Sequence, residues 1–497
     1  MTPLTEAVGE YLAKGLARFH MPGHKGRAEG LFAEISEYDI TEVEGADSLY
    51  ECAGALRETE RRYAALYGSG ECLLSAGGST LCIQAMLAAV LRPGEKFLIG
   101  RNCHSSAVHA AALCGFEPVW LMEQTPEALE HAFSERPDVK AAYLTSPDYF
   151  GRLADLAACS KVCHAHGARL LVDNAHGAHL PFFEENLHPM HLGADLCADS
   201  LHKTLPVLTG GALLHLRDPS LYETAKRRMR LFGSTSPSYL VMLSTDGCLD
   251  YLRTRARADF PALAMRMKVL GALAAENGLA PMGYAPQTKR SPQTGRVQTS
   301  LCGCPPQTEQ VSPAGQFPLG GRAPREEQTS LEGHGSLGER VSPGEHLPQT
   351  VRVEPARLTL SVSAAGLTGA QFGERLRQFG IEPEYVSPAW AVLMASPFNT
   401  EEDFRRLEEF IRSTPGGGVP SEEFLPGFAP EQTIPMREAV FAESEEIPSA
   451  QAEGRVAASL EIPCPPCIAL TVPGETIGAE TARLLLAYGV GHVRVIR

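Results

Sequence analysis

The sequence predicts an α/β protein built on a mostly parallel sheet, with smaller α/β units following it. Three observations carry that expectation. Between residues 71 and 216, short apolar runs alternate with Ala/Leu-rich stretches, the pattern of βαβ units covered on both faces. The polar residues suited to chemistry fall at the ends of those apolar runs, where ligands collect in such sheets. The chain also has 497 residues, 44% of them hydrophobic, enough for two or three domains and a sizeable core.

Taken in order, residues 1–35 read as an N-terminal segment and 36–250 as the large domain. Within it CLLSA, KFLIG, PVWLM, AAYLT, RLLVD, ADLCADS and GALLHL read as strands, and Leu81–Leu91 and Ser105–Cys114 as helix-like stretches between them. Composition changes near Gly283. From there to about Val353 the chain is rich in Pro, Gln, Thr, Gly and Ser, with PQT recurring at Pro286, Pro292, Pro306 and Pro348. So few large apolar residues cannot offset the ordering entropy. Residues 284–352 therefore read as a flexible low-complexity insertion inside a small α/β domain at 251–414. In that domain RLTLSVS and AVLMAS read as strands, and Gly369–Phe379 and Glu401–Ser413 as helices. The PGGGVP linker leads to a last segment, 421–497.

The formal net charge is −15. An acidic chain without a basic stripe argues against nucleic acid and anionic membranes as partners and suits a cationic small-molecule substrate. The N-terminus lacks the basic head and apolar core of a signal peptide, and the longest apolar stretch is too short to span a bilayer. Thirteen cysteines scattered among apolar segments read as reduced thiols. The expected location is cytoplasmic.

Four elements carry candidate chemistry. Asp199-Ser200-Leu201-His202-Lys203-Thr204 follows an apolar run. A partly desolvated lysine there can condense with a carbonyl, with Ser200 and His202 beside it to bond a phosphate, although a lone strand-end lysine is usually a solvated surface residue. Gly77-Gly78-Ser79-Thr80 follows CLLSA and opens a helix, whose exposed N–H groups make a phosphate cradle. It lacks the GxxxxGK[ST] spacing of a nucleoside-triphosphate loop, and an ordinary N-cap turn is the competing reading. Asp173 closes the apolar run LLVD. A buried carboxylate needs a cationic partner, which a protonated pyridine would supply; a capping aspartate is the alternative. His104 follows KFLIG and could stack on a planar ring, or simply bond the backbone at a helix start. The pairs His188-x-x-His191, His176-x-x-His179 and Cys464-x-x-Cys467 lie too far apart in the chain to suggest a four-ligand zinc site, and no metal is expected.

Phosphate cradle, stacking ring, pyridine partner and lysine, in that chain order, resemble the pyridoxal 5′-phosphate (PLP) fold-type I Orn/Lys/Arg decarboxylases in their short form, without the N-terminal wing domain. FHMPGHKG, LSAGGST, RNCHSS, TSPDYFG, LLVDNAHGAH, DSLHKTLPVLTGGA, FGSTSPSYLVMLSTD, REAVF and the C-terminal PCPPCIALTVPGE carry the likeness. The resemblance implies an aspartate aminotransferase-like large domain and smaller C-terminal α/β domains. It implies PLP-dependent decarboxylation of arginine, lysine or ornithine to a polyamine-pathway amine, in a homodimer or higher assembly with the site at the subunit interface. It implies Lys203 as the cofactor-bearing lysine, Asp173 as partner of the pyridine nitrogen and His104 as the stacking ring. Ser79, Thr80, Ser200 and His202 are implied as phosphate contacts and His176 as a wall of the cofactor pocket. Ser236, in TSPSY, is implied to reach the neighbouring subunit's phosphate, and Glu475, in VPGE, to meet the distal cation of the substrate. The chain departs from the family at Asn174, where Glu is usual, and at CPPCIA, where YPPGIP is common. An aminotransferase, a carbon–sulfur lyase and an inactive binding protein of the same fold are the alternatives. Arg357, in ARLTL, imitates the carboxylate-binding arginine of transaminases and does not separate them; CO2 release against keto-acid formation does.

Overall fold

A computed structural model describes residues 1–284, 351–421, 430–461 and 469–497. The expected insertion therefore lies outside the described residues except at its flanks, as does most of the CPPCIA block.

Seven strands form the main sheet: β1 (Glu71–Ser75), β2 (Lys96–Gly100), β3 (Glu117–Leu121), β4 (Ala141–Thr145), β5 (Arg169–Asp173), β6 (Leu196–Ser200) and β7 (Ala212–Leu216). Their order across the sheet is β1-β7-β6-β5-β4-β2-β3. The ladders from β6 to β3 are parallel, whereas β7 is antiparallel to both β6 and β1. Strands β4 to β7 are almost entirely buried, which is why they read as unbroken apolar runs and not as alternating ones. Side chains still alternate between two cores. Leu73, Ala198 and Leu214 pack beneath the helix Gly78–Val90, while Leu74 and Leu213 face Tyr63, Phe182 and Phe260 on the other side.

A smaller antiparallel sheet, β8-β10-β9, contains β8 (Arg357–Ser361), β9 (Tyr385–Val386) and β10 (Trp390–Met394). The helices Gly369–Gln378 and Glu401–Ser413 accompany it, each started by a capping box, Thr368 with Gln371 and Thr400 with Asp403. Each box satisfies two otherwise orphaned backbone N–H groups. The C-terminal segment pairs β11 (Ser444–Pro448) with β12 (His492–Ile496).

The flanks of the insertion meet. Met282 N–H donates to Thr359 O at 2.9 Å, and Leu153 N–H to Arg352 O at 2.9 Å. All nine described cysteines are unpaired. Among the described residues no helix is long and apolar enough to cross a membrane.

Candidate active site

The parallel ladder between β5 and β6 sets Asp173 beside Ala198, so the polar residues that close the two strands project at one edge of the sheet. Asp173 is buried. Its Oδ2 accepts the Tyr143 hydroxyl at 2.9 Å and its Oδ1 the Ala175 N–H at 3.1 Å. These two donors fix the carboxylate in place.

Lys203 lies on the single helical turn Leu201–Thr204 that follows β6. Its Nζ is 3.2 Å from Nε2 of His176, which stands just past Asp173 in the loop after β5. His176 is buried, and Tyr149 meets its ring edge-on with centroids 5.0 Å apart. Burial is the first cause that pushes the His176 pKa well below its usual value, which favours the neutral ring.

At the start of the helix Gly78–Val90, Ser79 Oγ accepts the Ser200 hydroxyl at 2.7 Å, and both are buried. Gly78 adopts φ +69° and donates its N–H to Gly210 O at 2.8 Å, a left-handed turn that suits a residue without a Cβ. Thr80 is exposed on the first turn of that helix. His202 Nδ1 is 3.0 Å from Gly211 O; burial lowers its pKa against that bond. Thr204 Oγ1 is buried with no hydrogen-bond partner among the described residues. His104 N-caps the helix Ser105–Cys114, its Nδ1 accepting from Ser106 N–H at 3.2 Å, and its charge would oppose protonation of His176.

This donor set fits PLP. A phosphate needs hydroxyl and N–H donors, which the Ser79–Ser200 pair, the unsatisfied Thr204 hydroxyl and a helix N-terminus provide. A pyridine nitrogen needs an anion, and an aldehyde needs an amine.

Two expected residues stand apart. Ser236 is exposed before the helix Tyr239–Thr254, its N–H bonded to Ser234 Oγ at 3.1 Å. Glu475 does not present a free carboxylate. It is fully buried, its oxygens take Arg101 Nη1 at 2.6 Å and Nη2 at 3.0 Å, and Oε2 also accepts Val472 N–H at 2.9 Å. This carboxylate is engaged by the Arg101 guanidinium, a pair that joins the C-terminal segment to the end of β2.

Several residues of this region carry no motif. Tyr143, an aromatic two positions from the end of an apolar strand, was the one detectable signal. Asp199 is fully buried and accepts from Asn174 Nδ2 at 2.7 Å on one oxygen, and lies 3.0 Å from His188 Nε2 and 3.2 Å from His215 Nε2 on the other. Burial alone would raise its pKa; the contacts with His188 and His215 outweigh burial and hold it well below the carboxylate range. Among the described residues His188, Asp199 and His215 form the one cluster with metal-ligand reach, and His191 is not part of it. Met190 N–H points at His188 Nδ1 at 3.3 Å, which puts the proton of a neutral ring on Nε2, facing Asp199. Asn174, where the family usually has Glu, serves here as a neutral donor to Asp199.

Residues 2–259 match the family described as Orn/Lys/Arg decarboxylase, major domain, and residues 422–488 the family's C-terminal domain. The uncharacterized protein YaaO of Bacillus subtilis is 34% identical over 272 residues, spanning 51% of this chain and 57% of that protein. The arginine decarboxylase of Bacillus subtilis is 27% identical over 509 residues, spanning 96% of this chain and 92% of that enzyme. Among solved structures, the lysine decarboxylase LdcF of Francisella novicida has a TM-score of 0.75 at 15% identity, covering 100% of this chain and 81% of that one.

Proposed function

Because the chain belongs to the Orn/Lys/Arg decarboxylase family and is a PLP-dependent carboxy-lyase acting on a basic amino acid, we propose that its substrate is arginine and that Lys203 carries the cofactor. The observation behind the site assignment is the convergence of the β5 and β6 ends: buried Asp173, then His176 at 3.2 Å from Lys203 Nζ. Support for arginine comes from relatives. Arginine decarboxylases match over 95–96% of this chain, whereas the constitutive lysine decarboxylase of Escherichia coli matches over 50%.

PLP, when bound, supplies the electron sink for the pair left on the α-carbon as the carboxylate departs as CO2. The protein's part is to hold and orient. Ser79, Thr80, Ser200 and His202 bind the phosphate. Asp173, fixed by Tyr143 and Ala175 N–H, presents its carboxylate to the pyridine nitrogen and keeps a proton there. His104 would be the ring that faces the cofactor, and His176, at 3.2 Å from Lys203 Nζ, would close the pocket beside it. Lys203 would be the amine that holds the cofactor until substrate arrives. The buried walls exclude water, which strengthens each of these charges.

Ser236 serves the phosphate of a second subunit. It is exposed, and the exposed Phe19, Leu31 and Leu231 supply apolar surface for such a homodimer. The test is a product assay with arginine, lysine and ornithine. Agmatine and CO2 formed at least tenfold faster than cadaverine or putrescine is the expected result. Cadaverine or putrescine as the leading product overturns arginine, and keto acid without CO2 overturns decarboxylation.

A further inference from the structure

Behind Lys203 lies a chain of buried groups: His176, Arg357, Glu354 and His179. His176 Nδ1 is 3.3 Å from Arg357 Nη2, while its Nε2 is 3.2 Å from Lys203 Nζ. Arg357 cannot swing away. Its Nη1 donates to Tyr149 O at 2.8 Å and its Nε to Glu354 Oε1 at 3.2 Å. Glu354 is anchored in turn, its Oε2 accepting Ala356 N–H at 2.8 Å and lying 3.0 Å from His179 Nε2.

Donor and acceptor accounting decides the direction of this chain. A guanidinium has only donors, and a neutral imidazole has one N–H and one lone pair. With Arg357 donating to Nδ1, the ring proton must sit on Nε2, where it points at Lys203. An ammonium at Lys203 would set donor against donor. We propose that Arg357, through His176, is a positioning residue that holds Lys203 as a neutral amine, its lone pair accepting the His176 Nε2–H until the cofactor aldehyde takes it. In that step the Nζ lone pair forms the C–N bond as the carbonyl π pair moves to oxygen. Both amine protons finish on that oxygen, which leaves as water. The charged and titratable groups around His176 are Lys203, Arg357, His104 and His179, with Glu354 behind Arg357. Arg357, a permanent cation, opposes a cationic ring.

This inference rests on Lys203 being the cofactor lysine. Its test is the rate at which PLP added to the apoenzyme becomes attached, followed by absorbance from pH 6.5 to 9, with borohydride trapping to locate the bond. Wild type is expected to attach PLP at Lys203 with a nearly flat pH profile. In Arg357→Met the His176 proton can move to Nδ1 and Nε2 can then accept from an ammonium. Attachment should be about tenfold slower near pH 7 and rise about tenfold per pH unit, as for a group that must first lose a proton. Arg357→Lys, which retains a donor, should recover part of the rate. If Arg357→Met fails to fold, Glu354→Gln, which only loosens the anchor, is read in the same way. An Arg357→Met profile identical to wild type overturns the relay and leaves the functional reading intact. Wild-type label on a different lysine overturns both.

Discussion

Asp173 is the residue at which cofactor binding and turnover should separate. Asp173→Asn keeps the size of the side chain between Tyr143 and Ala175 N–H but removes the anion. PLP content is expected to stay close to wild type while kcat falls about a hundredfold, the equivalent of ~3 kcal/mol; near-normal kcat with full cofactor would remove Asp173 from its role. Buried neutral histidines make a second prediction. Burial is the first cause that lowers both His176 and His215 from 6.5. In the unfolded chain both take up protons as pH falls below about 6.5, while the folded rings do so only at lower pH, so unfolding binds protons and stability is lost as pH falls through that window. At or above about pH 7 the effect is absent. Each ring contributes a slope of about 1.4 kcal/mol per pH unit, and denaturant titrations at pH 7, 6 and 5 should show it; His215→Phe should flatten the curve. At this scale Lys203, Asp173, Ser79 and Ser200 were legible because each ends or follows an apolar run. Arg357 and Glu354 were not, since their partners His176 and His179 lie 181 and 175 positions away, and no local pattern encodes such contacts.

Among elements, β2 and the C-terminal segment are joined by one buried pair. Arg101 bonds Glu475 in a fork, donates Nε to Ala469 O at 2.9 Å and lies over the Trp120 ring at 4.6 Å. Arg101→Met leaves Glu475 as a buried, unpaired charge. Such a loss costs about 3–5 kcal/mol, and limited proteolysis should then cut within 430–497 before the large domain. Arg101→Lys keeps the charge but not the two-pronged geometry and should fall between the two. Wild-type protease resistance in Arg101→Met would show that the pair does not hold this segment. The main strands could be read from sequence because burial on both faces leaves long aliphatic runs. The reversed direction of β7 could not, because a buried strand has the same composition whichever way it runs. β11, SEEIP, escaped notice because its two-stranded sheet leaves charged residues half in water.

Over the whole molecule, the interruption at 284–352 returns the chain to where it left. Gly283 sits against Val353 and Met282 bonds Thr359. The cost of closing a loop grows by only about 0.6 kcal/mol per doubling of length. A short Gly/Ser linker in place of residues 286–350 is therefore expected to leave the melting temperature within about 3 °C, the shift that roughly 1 kcal/mol produces in a large domain, and PLP content unchanged. Collapse of the shortened chain would make the interruption part of the core. The reversal of β7 has a consequence of another kind, for the order in which the molecule assembles. It lets β6 turn back directly on β7, with Ser200 opposite Ala212, whereas the β1 ladder must bring Glu71 to Leu216. The β6–β7 ladder is the most local contact of the large sheet, and local contacts close fastest. The loop that carries Lys203 is thus framed by the ladder with least chain to search, while the cradle at Ser79 awaits the longest-range closure in the sheet. A folding intermediate that holds the β6–β7 pair before β1 has joined is the state this topology favours first.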